Sequence, residues 1–380
     1  MKHLWYNIAN YIRECDKVFI FLCFFATSFG CVAVLSSTYG ISSSAKQFIT
    51  QLLCMLVGFV AAIIISRFNY QNFGKLWPFF AAVGIIPVLL TFYIGYAPGN
   101  TDDKAWLILP GNISFQPSEL LKVVFIITFS YHIGRLGDSI HKFHNILLLC
   151  LHGAIPVLLI HLQGDDGTAL IFALMFISMM FVSGIKLRYF VILGSVVVVA
   201  LPVAFFLIMN EDQQSRIYSL LFPTEADYLG VLWQQWRARI ALANGGLFGA
   251  GLFNGPSVQS GNIPEGYNDF IFSSIGEELG ILGCLCVIIL IFAICFRIMK
   301  TGHKSADKTG QIICTGVFSM LAFQSIINIG MNLSLIPVIG ITLPLFSAGG
   351  TSLLCTLLAI GLVMSVYMHR HSSAPYLYGH

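Results

Sequence analysis

Long apolar runs separated by short polar segments form the main pattern of this chain. Ten such runs can be placed, at residues 18–36, 48–66, 76–96, 118–133, 146–162, 168–184, 190–209, 270–296, 311–333 and 351–368. A helix of about 20 apolar residues crosses the hydrocarbon core of a bilayer. The pattern therefore predicts an all-α polytopic membrane protein with about ten transmembrane helices, built as a single domain over residues 1–380.

The segment between the seventh and eighth spans, residues 210–269, is much longer than the other connections. Loops longer than about 15 residues are usually functional or disordered. Within this one, Trp233, Trp236 and Ile240 share one face of a helical stretch, a pattern typical of a helix at a membrane surface. A glycine-rich turn follows at residues 244–255. We therefore expect a large extracytoplasmic loop with ordered structure.

Residues 334–350 combine apolar side chains with residues that interrupt helices. Pro337, Gly340, Pro344 and Gly349 prevent a continuous helix. Irregular backbone at membrane depth must pack against protein or line a cavity, because lipid offers no hydrogen-bond partner. The segment therefore predicts a re-entrant loop just before the tenth span.

Composition and charge support this class and orient the chain. Hydrophobic residues make up 57% and charged residues 10%, with a mean hydropathy of +0.83, whereas a soluble domain carries roughly 25% charged residues. With a cytoplasmic N-terminus, fourteen of the twenty Lys and Arg residues lie in inside segments and five in outside segments. Because cytoplasmic loops are rich in Lys and Arg, both termini are predicted to be cytoplasmic.

Carboxylates at the start of the eighth span are the strongest chemical signal. Asp269 lies at its outer end, and Glu277 and Glu278 lie about two turns inside it. Carboxylates in hydrocarbon are costly and usually mark a pathway or a reaction site. The alternative for Asp269 is a helix cap or a structural ion pair. For the two glutamates we favour structural pairing, with Lys122 or with the backbone of a broken helix.

Other classes of chemistry lack their signatures. The ten cysteines lie in or beside apolar runs without metal-ligand spacing. The chain has no phosphate-binding loop, nucleophile elbow or basic patch for nucleic acid. We therefore expect neither an organic cofactor nor a nucleic-acid partner.

Four blocks of the sequence resemble one family, the shape, elongation, division and sporulation (SEDS) proteins. Residues 106–122, 163–169, 263–280 and 328–352 are similar to its motifs and follow in the same order. The last block is the most specific and the second the weakest. The chain departs from the family pattern at Ala105, Gly164, Asp166, Tyr267, Asn268, Arg237, Ala238 and Ala250.

The resemblance implies a peptidoglycan glycosyltransferase in the bacterial cytoplasmic membrane. Such an enzyme polymerises lipid II, an undecaprenyl-pyrophosphate-linked disaccharide peptide, into β-1,4 glycan strands at the outer face. The family also implies a class B penicillin-binding protein as partner. Because both tails are short, we favour the rod-shape type over the division type, with a sporulation role as a further alternative.

This chemistry needs a base near the attacking hydroxyl and positive charge near the pyrophosphate. Asp269 matches the family's essential aspartate and is our candidate for the general base. The resemblance adds these candidates for substrate binding: Trp106, Gln116, Glu119, Lys122, Arg237, Arg239, Asn332 and Ser347.

Several of these candidates have a structural alternative. Glu119 and Lys122 have the spacing of an ion pair on one helix face. Trp106 suits an interfacial anchor, and Arg237 and Arg239 suit lipid headgroups. Asp165 either caps the sixth span or binds a divalent cation, Mg²⁺ or Mn²⁺.

Two rival functions also fit a helical bundle with intramembrane charges. One is a transporter that flips a lipid-linked precursor, to which broken segments near the membrane centre would be suited. The other is a non-catalytic membrane scaffold of the wall-synthesis complex. The polar candidates concentrate on the outer side, which favours the enzyme.

Overall fold

The computed structural model describes residue 11 and residues 13–39, 44–97, 104–110, 113–207 and 209–371. The helices are α1 (Lys17–Ser37), α2 (Ser44–Arg67), α3 (Tyr70–Lys75), α4 (Trp77–Ile94), α5 (Pro117–Leu136), α6 (Phe143–Leu162), α7 (Asp166–Val182), α8 (Leu187–Leu207), α9 (Glu211–Leu221), α10 (Trp233–Gly245), α11 (Pro256–Gln259), α12 (Ile271–His303), α13 (Lys308–Asn332) and α14 (Gly350–Met368). Short 3₁₀ turns lie at Gly137–His141 and Asp227–Leu229. Strands β1 (Leu107–Leu109) and β2 (Ile113–Phe115) form an antiparallel hairpin.

Each of the ten predicted spans coincides with a helix. Eight helices in the described residues are long and apolar enough to cross a membrane, and Asp166–Val182 and Leu187–Ala200 are shorter apolar helices. The predicted all-α polytopic fold is confirmed. The predicted position of the termini concerns residues 1–10 and 372–380, which lie outside the described ranges.

The centre of the bundle is formed by α5, α13 and α14, which are the most buried of the spanning helices. Helix α14 packs along α2, whereas α13 contacts α5, α7 and α12. Helices α2, α4 and α6 expose most of their apolar surface, as expected for helices that face lipid.

Aspartates define the starts of three helices. Asp16, Asp165 and Asp307 each accept a hydrogen bond from the backbone N–H three residues later, in α1, α7 and α13. An N-cap carboxylate satisfies one of the free N–H groups of the first turn and complements the helix dipole. Asp16 also forms an ion pair with Arg297, which joins the start of α1 to the last turns of α12.

The long loop 210–269 is ordered and contains α9, α10 and α11. Helix α10 buries Ala238 and Ala241 and packs against α12, while Trp233 and Trp236 are each 40% exposed. The exposed tryptophan face agrees with the predicted amphipathic pattern. Contact of this face with lipid headgroups stays a prediction.

Helix α12 is broken near its outer end, at Gly280, where the backbone has φ +68° and ψ −166°. The glycine loop, residues 246–251, enters this break. The N–H groups of Ala250 and Gly251 donate to the carbonyls of Glu277 and Glu278, both at 2.9 Å, and the Ile281 N–H donates to Gly246. The loop therefore satisfies backbone groups that the break leaves without a helical partner.

The side chains of Glu277 and Glu278 fasten the same region and are both buried. Glu277 accepts hydrogen bonds from the N–H groups of Ser257 and Val258, at 3.1 and 2.8 Å, and so holds the start of α11. Glu278 accepts from Ser36 Oγ at 2.7 Å and Gln259 Nε2 at 2.9 Å. The predicted structural role fits these contacts, but Lys122 is not the partner, because it pairs with Glu119.

Replacing Gly249 with alanine should destabilise the protein by roughly 2–4 kcal/mol. Gly249 has φ +78°, and a Cβ there would overlap the carbonyl of Glu278. The expected result is a lower Tm in detergent for Gly249→Ala. The matched control is Gly194→Ala in α8, where a Cβ meets nothing within 4 Å; equal Tm values for the two variants would contradict the described packing.

Candidate active site

Asp269 lies immediately before α12, and its main chain is fixed by two buried amides. Asn328 Nδ2 and Asn332 Nδ2 donate to the Asp269 carbonyl at 2.8 and 2.9 Å. Both asparagines come from α13 and are fully buried. The Asp269 carboxylate takes no part in these two bonds, and the residue keeps partial exposure.

The two asparagines connect Asp269 to its surroundings. Asn332 Oδ1 accepts from both the N–H and the hydroxyl of Ser273, at 3.0 and 2.6 Å. Asn328 Nδ2 also donates to the Ile341 carbonyl at 2.7 Å. Asn332 was predicted to contact substrate, but it lies behind Asp269 with its amide fully engaged. Asn328 was missed, although its position four residues before Asn332 places both on one helix face.

The predicted re-entrant segment is irregular and largely buried, and side chains meet its backbone groups. Ser347 Oγ accepts from the Leu343 N–H and donates to the Asn268 carbonyl, both at 2.7 Å. Gln51 Nε2 donates to the Ser347 carbonyl at 2.9 Å. Ser347 therefore holds the residue before Asp269. Gln51, in α2, was not identified from the sequence.

Asp165 lies close enough to Asp269 for its charge to raise the Asp269 pKa. Gln116 Nε2 donates to Asp165 Oδ2 at 3.0 Å, so these two predicted site residues are in contact. A Cβ on Gly167 would overlap the Ile339 carbonyl, and one on Gly340 would lie 3.9 Å from Asp269 Oδ2. The start of α7, residues 339–340 and Asp269 are therefore packed closely together.

Glu119 and Lys122 form the ion pair that their spacing predicts. Lys122 Nζ lies 2.7 Å from Glu119 Oε1, and the two side chains are only 1% and 7% exposed. A buried charge without its partner is strongly unfavourable. Glu119 compensates the Lys122 charge in this structure, and the role of Lys122 in substrate binding stays a prediction.

The Asp269 carboxyl is surrounded by protein and by like charge, although it keeps partial exposure. Burial, followed by the negative charges of Glu265 and Asp165, raises its pKa to about 7. Burial also raises the pKa of Asp165, against hydrogen bonds from Thr168. A carboxyl with a pKa near neutral pH is suited to proton transfer.

The arginines of the long loop are placed differently from one another. Arg216 is exposed, as the prediction of a solvated charge expects, and its Nη1 also donates to the Val338 carbonyl at 3.1 Å, two residues from Gly340. The Arg239 guanidinium lies 5.9 Å from the Trp236 ring centroid, and Arg237 lies on the same helix, α10. Arg216 was therefore missed as a cation of this region, and contact of Arg237 and Arg239 with substrate stays a prediction.

Trp106 stands at the base of the hairpin. Its N–H and carbonyl pair with Tyr96, and Thr351 at the start of α14 donates to the Ser114 carbonyl at 3.2 Å. The hairpin is thus attached to the outer end of the bundle. The Trp106 side chain is partly exposed there, and its predicted contact with sugar stays a prediction.

Comparison with known proteins decides the family. A family model described as a cell cycle protein, FtsW/RodA/SpoVE, matches residues 16–372. The chain belongs to this family. The SEDS resemblance of the sequence motifs is thereby confirmed.

Two relatives illustrate the breadth of the SEDS match. A protein named probable peptidoglycan glycosyltransferase FtsW from Trichlorobacter lovleyi is 32% identical over 369 residues, which cover 93% of each chain. Peptidoglycan glycosyltransferase MrdB from Escherichia coli K12 is 30% identical over 315 residues, covering 83% of this chain and 84% of that one. The expectation that this SEDS protein is a glycosyltransferase is confirmed by these relatives.

Solved structures share the fold. A chain from a peptidoglycan synthase complex superposes with a TM-score of 0.79 at 24% identity, covering 94% of this chain and 98% of that chain. The rod shape determining protein RodA from Thermus thermophilus superposes with a TM-score of 0.69 at 23% identity, with the same coverage. The SEDS architecture thus extends over nearly the whole protein.

Replacing Asn328 with alanine should lower glycosyltransferase activity about 10–100-fold, because a shift of about 1 Å at a reacting group has an effect of this size. Two carbonyls, of Asp269 and Ile341, would lose a donor. Turnover would be measured with labelled substrate, together with Tm. Ser325→Ala is the control, since this buried hydroxyl of α13 bonds only within the helix, to Leu321; equal turnover in both variants would refute the positioning role.

Proposed function

We propose that this protein polymerises lipid II into β-1,4 glycan strands at the outer face of the bacterial cytoplasmic membrane. The observation that carries the proposal is a partly exposed Asp269 carboxyl with a pKa raised to about 7, on a main chain held by Asn328 and Asn332. The relatives named peptidoglycan glycosyltransferase support the substrate class.

In the proposed reaction Asp269 acts as the general base. Its carboxylate takes the proton from the hydroxyl of the acceptor sugar while that oxygen attacks the anomeric carbon of the donor. The new glycosidic C–O bond forms as the bond between the anomeric carbon and the diphosphate oxygen breaks. The polyprenyl diphosphate leaves with the electron pair, and the configuration at the anomeric carbon inverts.

Negative charge grows on the diphosphate and needs nearby cations. Lys122, Arg216, Arg237 and Arg239 are the candidates from this chain. The described residues contain no group of three or more His, Cys, Asp or Glu arranged for a metal ion. Because Mg²⁺ is often held by one or two carboxylates together with substrate phosphates, Asp165 fits a divalent cation, Mg²⁺ or Mn²⁺, that arrives with the substrate and supplies positive charge.

Partner and orientation belong to the same proposal. A solved neighbour is part of a peptidoglycan synthase complex, which supports a class B penicillin-binding protein as the transpeptidase partner. The excess of Lys and Arg on one side supports cytoplasmic termini. Relatives named FtsW and MrdB both match, so the rod-shape type stays a prediction.

The distribution of charge favours an enzyme over a flippase. Asp, Glu, Lys and Arg of the spanning helices lie near the helix ends, and α12 has none between Glu278 and Arg297. A carrier of a charged headgroup needs polar groups along a path to both faces. A scaffold needs no carboxyl at position 269, so the presence of Asp269 also favours catalysis.

Asp269→Asn should lower polymerisation about 10²–10⁴-fold, the usual contribution of a general base. The full chain would be reconstituted with a class B penicillin-binding protein whose transpeptidase serine is disabled, and glycan strands would be measured from labelled lipid II. The matched control is Asp212→Asn, an exposed carboxylate at the start of α9.

The outcomes separate the three functions. Strands from wild type and Asp212→Asn, with few from Asp269→Asn, support the proposal. Equal amounts of glycan strands from wild type, Asp212→Asn and Asp269→Asn would show that Asp269 is not the base. Absence of strands from every folded sample, with transbilayer movement of labelled lipid II, would establish the flippase instead.

The pH dependence of polymerisation should follow the ionisation of Asp269. Because the base acts only when deprotonated and its pKa is raised to about 7, kcat/KM should rise about tenfold per pH unit below about pH 6 and level off above about pH 8. Initial rates measured between pH 5 and 9 would show this rise and plateau of kcat/KM.

Glu265→Gln is the variant that tests the cause of this pKa. The negative charge of Glu265 raises the pKa of Asp269. Removal of that charge should therefore shift the rise of kcat/KM towards lower pH. An unchanged pH profile in Glu265→Gln would show that the charge of Glu265 does not contribute to the pKa of the titrating group.

A further inference from the structure

A small cavity of about 170 Å³ opens beside the loop that carries Asp269. Its wall combines the end of α1, α11, residues 261–267 and the first turns of α12. The lining holds three types of polar group, a carboxylate, a phenol and two hydroxyls, from Glu265, Tyr267, Ser37 and Ser274, and apolar atoms of Val258, Ile263 and Pro264. No step of the proposed reaction uses this space.

The wall of the cavity is held in a fixed form. Glu265 has a left-handed backbone with φ +47°, which is unfavourable for a residue with a Cβ and is typical of functional sites. Its carbonyl accepts from the N–H groups of Asn268 and Phe270, at 2.9 and 3.1 Å. Tyr267 bonds through its hydroxyl to the Gln47 side chain, and its carbonyl accepts from the Ala348 N–H at 2.8 Å.

The chemistry of the lining discriminates among the parts of a lipid-linked saccharide. The Glu265 carboxylate repels a diphosphate, and the lining contains neither Lys nor Arg. The cavity is also unfavourable for a prenyl chain, because hydrocarbon against the Glu265 carboxylate would remove water from a charged group. A sugar ring has hydroxyls for the carboxylate and an apolar face for the Tyr267 ring, and the volume suits one ring.

We propose that this cavity binds one N-acetylhexosamine ring, the ring that carries the attacking hydroxyl of the acceptor. The inference rests on the proposed function and adds a binding site to it. The Phe270 N–H, next to Asp269 in the chain, donates to the carbonyl of Glu265 in the cavity wall at 3.1 Å, so the wall and the proposed base belong to one turn. The cation Arg216 lies elsewhere, against Val338, so the donor diphosphate and the acceptor sugar have separate places.

Binding of a soluble probe tests the site without turnover. Chitotriose, a β-1,4-linked trimer of N-acetylglucosamine, would be titrated against the full chain in nanodiscs and followed by saturation-transfer NMR. Tyr267→Ala and Glu265→Gln should each raise its Kd about tenfold or more, through loss of the ring and of the charged hydrogen-bond acceptor. Glu225→Gln, an exposed carboxylate in the same loop, is the control and should leave the Kd unchanged.

Asp269→Asn separates the failure of this site from the failure of the proposed function. Retained chitotriose binding with lost polymerisation supports both. Retained binding with normal polymerisation leaves the sugar site standing and removes Asp269 as the base. Equal Kd values for wild type, Tyr267→Ala and Glu265→Gln, or no binding to wild type, overturn the site. If Tyr267→Ala fails to fold by Tm, the exposed Glu265→Gln decides alone.

Discussion

The hydrocarbon core leaves backbone N–H and C=O groups without water, so every interruption of a helix must be paired from within the protein. This chain interrupts its helices at two places near the outer surface, at Gly280 and over residues 334–349. The glycine loop pairs the first interruption, and side chains such as Asn328 and Gln51 pair the second. The hydrogen bonds that pair these two interruptions together set the geometry around Asp269.

The side chains that pair these backbone groups also hold the segments around Asp269 in place. Asn328 donates to the carbonyls of Asp269 and Ile341, which belong to two different segments of the candidate site. Ser347 similarly joins the re-entrant segment to Asn268. The hydrogen bonds that pair the backbone and those that position the candidate site therefore form one network. Loss of a single amide side chain affects both the backbone pairing and the site.

Hydropathy predicted the ten helices because each span is a local property of about 20 residues. It also located Asp269 at the start of a helix, since a single charge at the edge of an apolar run can be read directly from the sequence. The partners were not predictable in the same way. Asn328 and Asp269 are 59 residues apart, and Ser36 and Glu278 are 242 apart, so their pairing depends on helix packing.

Local spacing decided correctly where both partners lie on one helix. Glu119 and Lys122 form the pair that an i,i+3 relation favours, and Asp165 is the predicted cap. Where the partner lies elsewhere, the sequence did not identify it. The structural role predicted for Glu277 and Glu278 fits their contacts with loop and helix groups, but Lys122 is not their partner, and the exposed Arg216 has an additional contact with a carbonyl of the re-entrant segment.

The support of Asp269 through its carbonyl has an evolutionary consequence. Every amino acid has that carbonyl, so the clamp from α13 does not depend on which side chain stands at position 269. One codon change can therefore remove the proposed base while the carbonyl at position 269 keeps its two hydrogen bonds. Under the proposed mechanism, a catalytically silent descendant with an almost unaltered backbone is a single substitution away.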